Sequence, residues 1–170
     1  MERPKPLKKE KKLREGDFIV SKTDTKGVIT YGNEIFIEMS EYTEEELLGA
    51  PHSIIRHPDM PRVVFKLLWD TITQGKEIFA FVKNLSKSGS YYWVFTNVTP
   101  SYDRKGHIIG YYSVRRKPSE NAIKTIEGIY TALLEKEAEG GMEASAKFLF
   151  DFLDSQGLTY DEIINALQRS

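Results

Sequence analysis

Two groups of residues in this chain of 170 have types and spacing that could do chemistry. The denser one is Pro51-His52-Ser53-Ile54-Ile55-Arg56-His57-Pro58-Asp59-Met60-Pro61, which holds two of the three histidines. A segment stiffened by three prolines and loaded with imidazole, guanidinium and carboxylate is costly to order unless it binds something or locks onto itself. Locked, Arg56 would pair with Asp59 and His57 would bond to backbone. Open, the same groups would hold a ligand. A metal site is a poor reading, because His52 and His57 stand five apart with no cysteine and only Asp59 near.

The second group is aromatic. Phe79 and Phe81 share one strand, and Tyr91, Trp93 and Phe95 share the next, each set on one face by alternation. Core packing accounts for any one of them. Lys83, Asn84 and Asn97 beside them are harder to place in a core. A buried Asn needs partners, and a planar heteroaromatic ligand offers them along its edge.

No nucleophile elbow, P-loop, dinucleotide-binding glycine motif or zinc-protease helix occurs, so no enzyme signature competes with a binding role. The run Glu44-Glu45-Glu46 reads as a helix start favoured by the dipole.

The elements that must position these groups are legible from pattern. Residues 18–23 and 28–31 read as two strands joined by the turn Asp24–Gly27. Asn33 and Thr43 are placed to cap short helices, the second through a capping box with Glu46. Apolar residues from Val63 to Ile72 recur at helical spacing, and Gly75 follows. Strands are expected at 78–82, 91–98 and 108–114, with turns at Ser88-Gly89 and Asp103–Gly106. The order β-β-α-α-α-α-β-β-β predicts an α+β fold, one five-stranded antiparallel sheet with short helices on one face.

Beyond the sheet lies a helical extension. Ile123, Ile126, Ile129, Tyr130 and Leu133 form one stripe; Gly140-Gly141 interrupts it, and two further amphipathic stretches follow. The division expected is a basic arm at 1–16, a sensor domain at 17–117 and an acidic helical extension at 118–170. Residues 1–15 carry seven basic and three acidic side chains, whereas 119–170 carry four and ten. The arm reads as a solvated, frayed end; the stripe must be buried by folding back on the sheet, against a second copy or on another protein, and an exposed surface for a partner is the preferred reading.

The whole chain has 24 Lys+Arg against 25 Asp+Glu, so no basic excess speaks for nucleic acid. Cysteine is absent, which excludes disulfides, thiol catalysis and thiolate-ligated metals, iron–sulfur clusters or haem. No signal-peptide core and no run of about 20 apolar residues occurs, so a cytoplasmic protein without membrane insertion is expected.

Several strings carry a resemblance. Asn33-Glu-Ile-Phe36, Tyr42-Thr-Glu-Glu-Glu-Leu-Leu-Gly49, Arg56-His57-Pro58-Asp59-Met60-Pro61, Trp69, Val82-Lys83-Asn84, Tyr92-Trp93-Val94 and Gly110-Tyr-Tyr-Ser-Val-Arg115 resemble a PAS domain of the aerotaxis-receptor type. As a short chain it is similar to the stand-alone PAS subunits of split energy-taxis receptors. The resemblance covers about residues 17–117.

It implies non-covalent FAD, a non-enzymatic redox or oxygen sensor, and signalling to a separate membrane chemoreceptor, with a homodimer as a possible assembly. The cofactor-binding residues it implies are Asn33, Phe36, His52, Arg56, His57, Asp59, Trp69, Phe81, Asn84 and Trp93. Ile78 stands where flavin-binding relatives usually carry Trp. Haem b on His52 or His57 is the alternative cofactor, and a cofactor-free interaction module is the other reading.

Overall fold

The structure, a computed structural model, describes residues 2–170. Five strands, β1 (Ile19–Thr23), β2 (Ile29–Gly32), β3 (Ile78–Leu85), β4 (Tyr91–Tyr102) and β5 (Ile108–Arg116), form one antiparallel sheet in the order β2-β1-β5-β4-β3. Between β2 and β3 run α1 (Glu34–Ser40), α2 (Glu44–Leu47), a 3-10 turn (His52–Ile55) and α3 (Arg62–Ile72). After β5 come α4 (Glu120–Gln156) and α5 (Tyr160–Gln168). The α+β expectation holds.

Local chemistry sets the short elements. The Asn33 side chain accepts from the Phe36 amide and opens α1. Thr43 and Glu46 close the reciprocal capping box of α2. Pro51 and Pro61 start the 3-10 turn and α3, where a missing N–H is no loss.

The sheet separates two compartments by alternation. Val82 and Asn84 of β3, Thr96 and Val98 of β4, and Tyr111, Ser113 and Arg115 of β5 share the inner face, beneath the 3-10 turn and α3. Phe79, Phe81, Trp93 and Phe95 project the other way: Phe79 stacks on Phe95, Phe81 lies tilted against Phe95, and Trp93 lies tilted against Tyr130 of α4. So the stripe expected to stand exposed is buried within the chain: Ile126, Tyr130 and Leu133 are core residues. Helix α4 turns at Gly140-Gly141, where both backbones leave helical geometry. At the far end Gln168 of α5 accepts from the Ser119 amide and donates to the Lys117 carbonyl.

Strand β3 lies at a sheet edge, and its outward backbone groups are covered. The Phe79 amide donates to Asp161, the Phe81 carbonyl accepts from Tyr130, and the Lys83 amide meets the Met60 sulfur. An edge so occupied offers no free ladder to another chain.

The basic arm is not frayed. The Tyr91 amide donates to the Lys9 carbonyl, and the Lys11 amide to the Tyr91 carbonyl, in a parallel bridge along β4. Strand β5 ends opposite Phe95, so the start of β4 has an open side there, and the arm fills it. Leu13 is buried, and the Arg3 guanidinium donates to the carbonyls of Ser53 and Arg56. Charge alone suggested a solvated segment; unpaired strand backbone decides otherwise.

Candidate functional site

A cavity of about 410 Å³ lies between the inner face of the sheet and the roof formed by the 3-10 turn and α3. Phe65, Leu68, Trp69 and Ile72 of α3 and Val82 and Val98 of the sheet give it apolar walls. Trp69 stands edge-on to Tyr111, centroids 5.6 Å apart. Gly27, at φ 84°, passes so close to that indole that a Cβ would come within 3.1 Å of it. The turn Asp24–Gly27 thus brings Lys26 to the rim.

The polar groups in these walls are mostly donors. Arg56 Nε, Asn84 Nδ2, Arg115 Nε and Arg115 Nη1 are buried without a partner among the described residues. The Arg56 guanidinium lies 3.8 Å over the Phe65 ring, which fixes its plane. Thr96 and Ser113 hydroxyls satisfy each other at 3.1 Å. No lining residue is acidic. Burial holds His52 well below its usual range, at about 3, so it is a neutral imidazole; its Nε2 meets Ser21 Oγ at 3.1 Å.

Of the ten residues expected to hold a cofactor, the structure brings His52, Arg56, Trp69 and Asn84 to the cavity. Phe36 sits one layer behind, stacked on His52 at 5.9 Å and fully buried. The other five do not line it. Asn33 is spent on the cap and on tying the Val20 amide and the Phe18 carbonyl together. Phe81 and Trp93 fall on the outer face, because alternation gives odd positions of β3 and β4 to α4.

The Arg56–Asp59 segment is split by its own backbone. Arg56 bridges to Asn84 and turns inward, while His57 turns to the outer side against Tyr91. The Asp59 amide donates to His57 Nδ1, and the Asp59 carboxylate pairs with Lys83 Nζ at 2.9 Å. The expected Arg56–Asp59 pair is absent among the described ion pairs; Lys83 is the partner instead. Haem ligation finds no support: His57 is outside the cavity, and His52 Nε2 is engaged by Ser21. Among the described residues no cluster suited to a metal ion occurs.

Ser21, Thr96, Ser113 and Arg115 were not foreseen as cavity residues. Their signal is present in sequence: polar residues at every second place of an otherwise apolar strand point to one face.

The PAS fold family model matches residues 29–115, which take in the cavity's roof and the sheet from β2 onward but not β1. The chain belongs to the PAS family. It is a PAS domain of the aerotaxis-receptor type, 40% identical to the aerotaxis receptor of Escherichia coli K12 over 121 residues. The match covers 71% of this chain and 24% of that receptor, so the chain spans about a quarter of its relative's length. The nitrogen fixation regulatory protein of Klebsiella pneumoniae is 24% identical over 104 residues, 61% of this chain and 21% of that protein.

Among solved structures, the light state of the blue-light photoreceptor Aureochrome1 LOV superposes with a TM-score of 0.56 at 26% identity. It covers 65% of this chain and 88% of that one. A light-oxygen-voltage domain studied with a flavin analogue gives a TM-score of 0.55 at 25% identity, over 72% of this chain and 87% of that one. Among the described residues of this PAS protein, no helix is long and apolar enough to cross a membrane.

Proposed function

We propose that this PAS domain binds a flavin, FAD in the first instance, and reports its redox state. The observation that carries the reading is the pairing of apolar walls with unpartnered donors in the inner cavity. Asn84 Nδ2 and Arg56 Nε are buried with nothing to bond, which a native core avoids unless a ligand supplies acceptors. The isoalloxazine edge presents such acceptors along one side and apolar faces on both others. A cavity of about 410 Å³ falls in the usual range for bound small molecules, about 300–1,000 Å³.

The residues present fit such a ring. Trp69 and Leu68 would pack on its faces, Asn84 and Arg56 would donate to its edge, and Lys26 at the rim would meet phosphate groups outside. Bound flavin supplies a change of charge and protonation at the ring. Asn84 senses that change through its amide, which donates through nitrogen and accepts through oxygen. With no cysteine in the chain, a thiol adduct is excluded, which favours a redox signal over adduct photochemistry.

Output is by contact with a separate signalling protein, a chemoreceptor in the first instance. The likeness to one segment of an aerotaxis receptor supports this, together with the lack of any enzyme signature. The test is an absorbance spectrum of the purified protein. Bands near about 450 nm that bleach on reduction are expected. A colourless protein that takes up neither FAD nor riboflavin would end the flavin reading and favour a cofactor-free module.

A further inference from the structure

The cavity floor holds a charge that nothing among the described residues balances. Arg115 is 2% exposed, yet it has no ion-pair partner among the described residues. Its Nη2 donates to Ser21 Oγ, and its guanidinium lies 4.6 Å over the Phe36 ring. Nε and Nη1 have no hydrogen-bond partner among the described residues. The neighbours facing it are His52 from the 3-10 turn, Tyr92 from β4, Ser21 from β1 and Phe36 from α1. His52 is neutral, and the Tyr92 hydroxyl is held above its ordinary value by burial, so neither brings a negative charge. Burial lowers Arg115 itself to about 10, which leaves it protonated at neutral pH.

A desolvated guanidinium without a counter-ion is destabilising by itself. A hydrocarbon side chain of similar volume would pack there at less cost. The arginine gains only if something entering the cavity brings negative charge.

We propose that Arg115 makes the cavity a reader of ligand charge, holding the anionic, reduced form of a planar heteroaromatic ligand more tightly than its neutral, oxidised form. The identity of the ring rests on the flavin reading; the preference for an anion does not. Two electrons and one proton added to a neutral ring leave it with one net negative charge, which Arg115 meets without any side chain having to ionise. In the test the electrons come from dithionite, which with two waters gives two sulfites, four protons and two electrons; the ring takes both electrons and one of the protons. Tighter binding of the reduced form raises the midpoint potential by linkage. Arg115 is thus a specificity determinant: Asn84 carries no charge, and the charge of Arg56, which is only partly buried, is better screened by solvent.

The experiment is an anaerobic dithionite titration, with mediator dyes, of the flavin-loaded protein and its R115K and R115Q variants. R115Q should favour the reduced form about tenfold less, a fall of about 30 mV for a two-electron couple. R115K, which keeps the charge, should stay near the parent. An unchanged potential in R115Q, or equal shifts in both variants, would overturn the proposal.

Should R115Q fail to fold, the parent decides alone: stripped of flavin, it should bind reduced riboflavin more tightly than oxidised riboflavin. Equal or weaker binding of the reduced form overturns the charge reading while leaving the flavin reading intact. If neither riboflavin nor FAD binds in either redox form, the flavin reading has failed. Arg115 is then judged with urate, anionic at pH 7.5, against neutral caffeine. Urate bound more tightly than caffeine by the parent upholds the charge reading; equal or weaker binding of urate ends it.

Discussion

The Tyr130 hydroxyl donates to the Phe81 carbonyl at 2.5 Å, linking α4 to the backbone of β3 one residue before Val82 enters the cavity wall. Both partners are buried, and the bond uses a carbonyl that an edge strand would otherwise present unpaired. Y130F should therefore lower stability by about 1–3 kcal/mol, the usual loss when a buried acceptor is orphaned. A urea titration measures it. Ligand uptake should persist, since no cavity residue changes.

Asn84 has the opposite character. Its Nδ2 is unsatisfied without ligand, so N84A should leave the stability of the empty protein unchanged or slightly raised. Flavin affinity should fall about tenfold, the equivalent of about 1.4 kcal/mol. Equilibrium binding to stripped protein, beside urea unfolding without ligand, separates the two effects. A parallel loss of both would make Asn84 a structural residue.

His52 predicts an acid limb of the stability curve. Its folded value, about 3, lies below the ordinary 6.5 of an unfolded histidine, so between those values the unfolded chain binds the extra proton. Stability contributed by the neutral ring is complete above about pH 6.5 and falls as pH drops towards 3, by up to about 1.4 kcal/mol per unit. H52Q should flatten that limb. Urea midpoints at pH 7, 6 and 5 for both proteins check it, since the carboxylates they share contribute equally to each curve.

Gly89 holds the arm in place. It has φ 97°, and a Cβ built there would lie 2.2 Å from the Lys5 carbonyl oxygen. G89A should push the arm off the start of β4 through strain and contact together. Trypsin should then cut after Lys8 and Lys9 far faster than in the parent, while the sheet persists by circular dichroism.

Removing residues 120–170 should not give a smaller working sensor. It would bare Phe79, Phe81, Trp93 and Phe95 and leave the β3 edge without Tyr130 and Asp161. Aggregation or non-cooperative melting is expected, measured by light scattering during a thermal ramp.

What could be read from sequence was what neighbours along the chain decide. Asn33, Thr43 and Glu46 cap where their spacing says, and Asp24–Gly27 turns where aspartate and glycine bracket it. The cavity's polar face was half legible. Alternation shows that Phe81 shares a side with Phe79, but which side faces the ligand depends on where α4 lies, fifty residues further on. The Arg56–Asp59 string misled for the same reason: four consecutive residues beside an edge strand turn to opposite sides of it. The arm's order was hidden because its partner is the backbone of Tyr91, which has no signature in side-chain types.

Strand β3 sends its even positions to the inner cavity and its odd positions to the helical layer. The two chambers therefore draw on separate sets of positions. A designer wishing to change what the pocket holds has 82, 84, 96 and 98 to vary, and one wishing to alter the contacts of the helical layer has 79, 81, 93 and 95. The strand's register keeps the two libraries independent, and a one-residue slip of β3 against β4 would exchange the β3 members of each, leaving those of β4 in place.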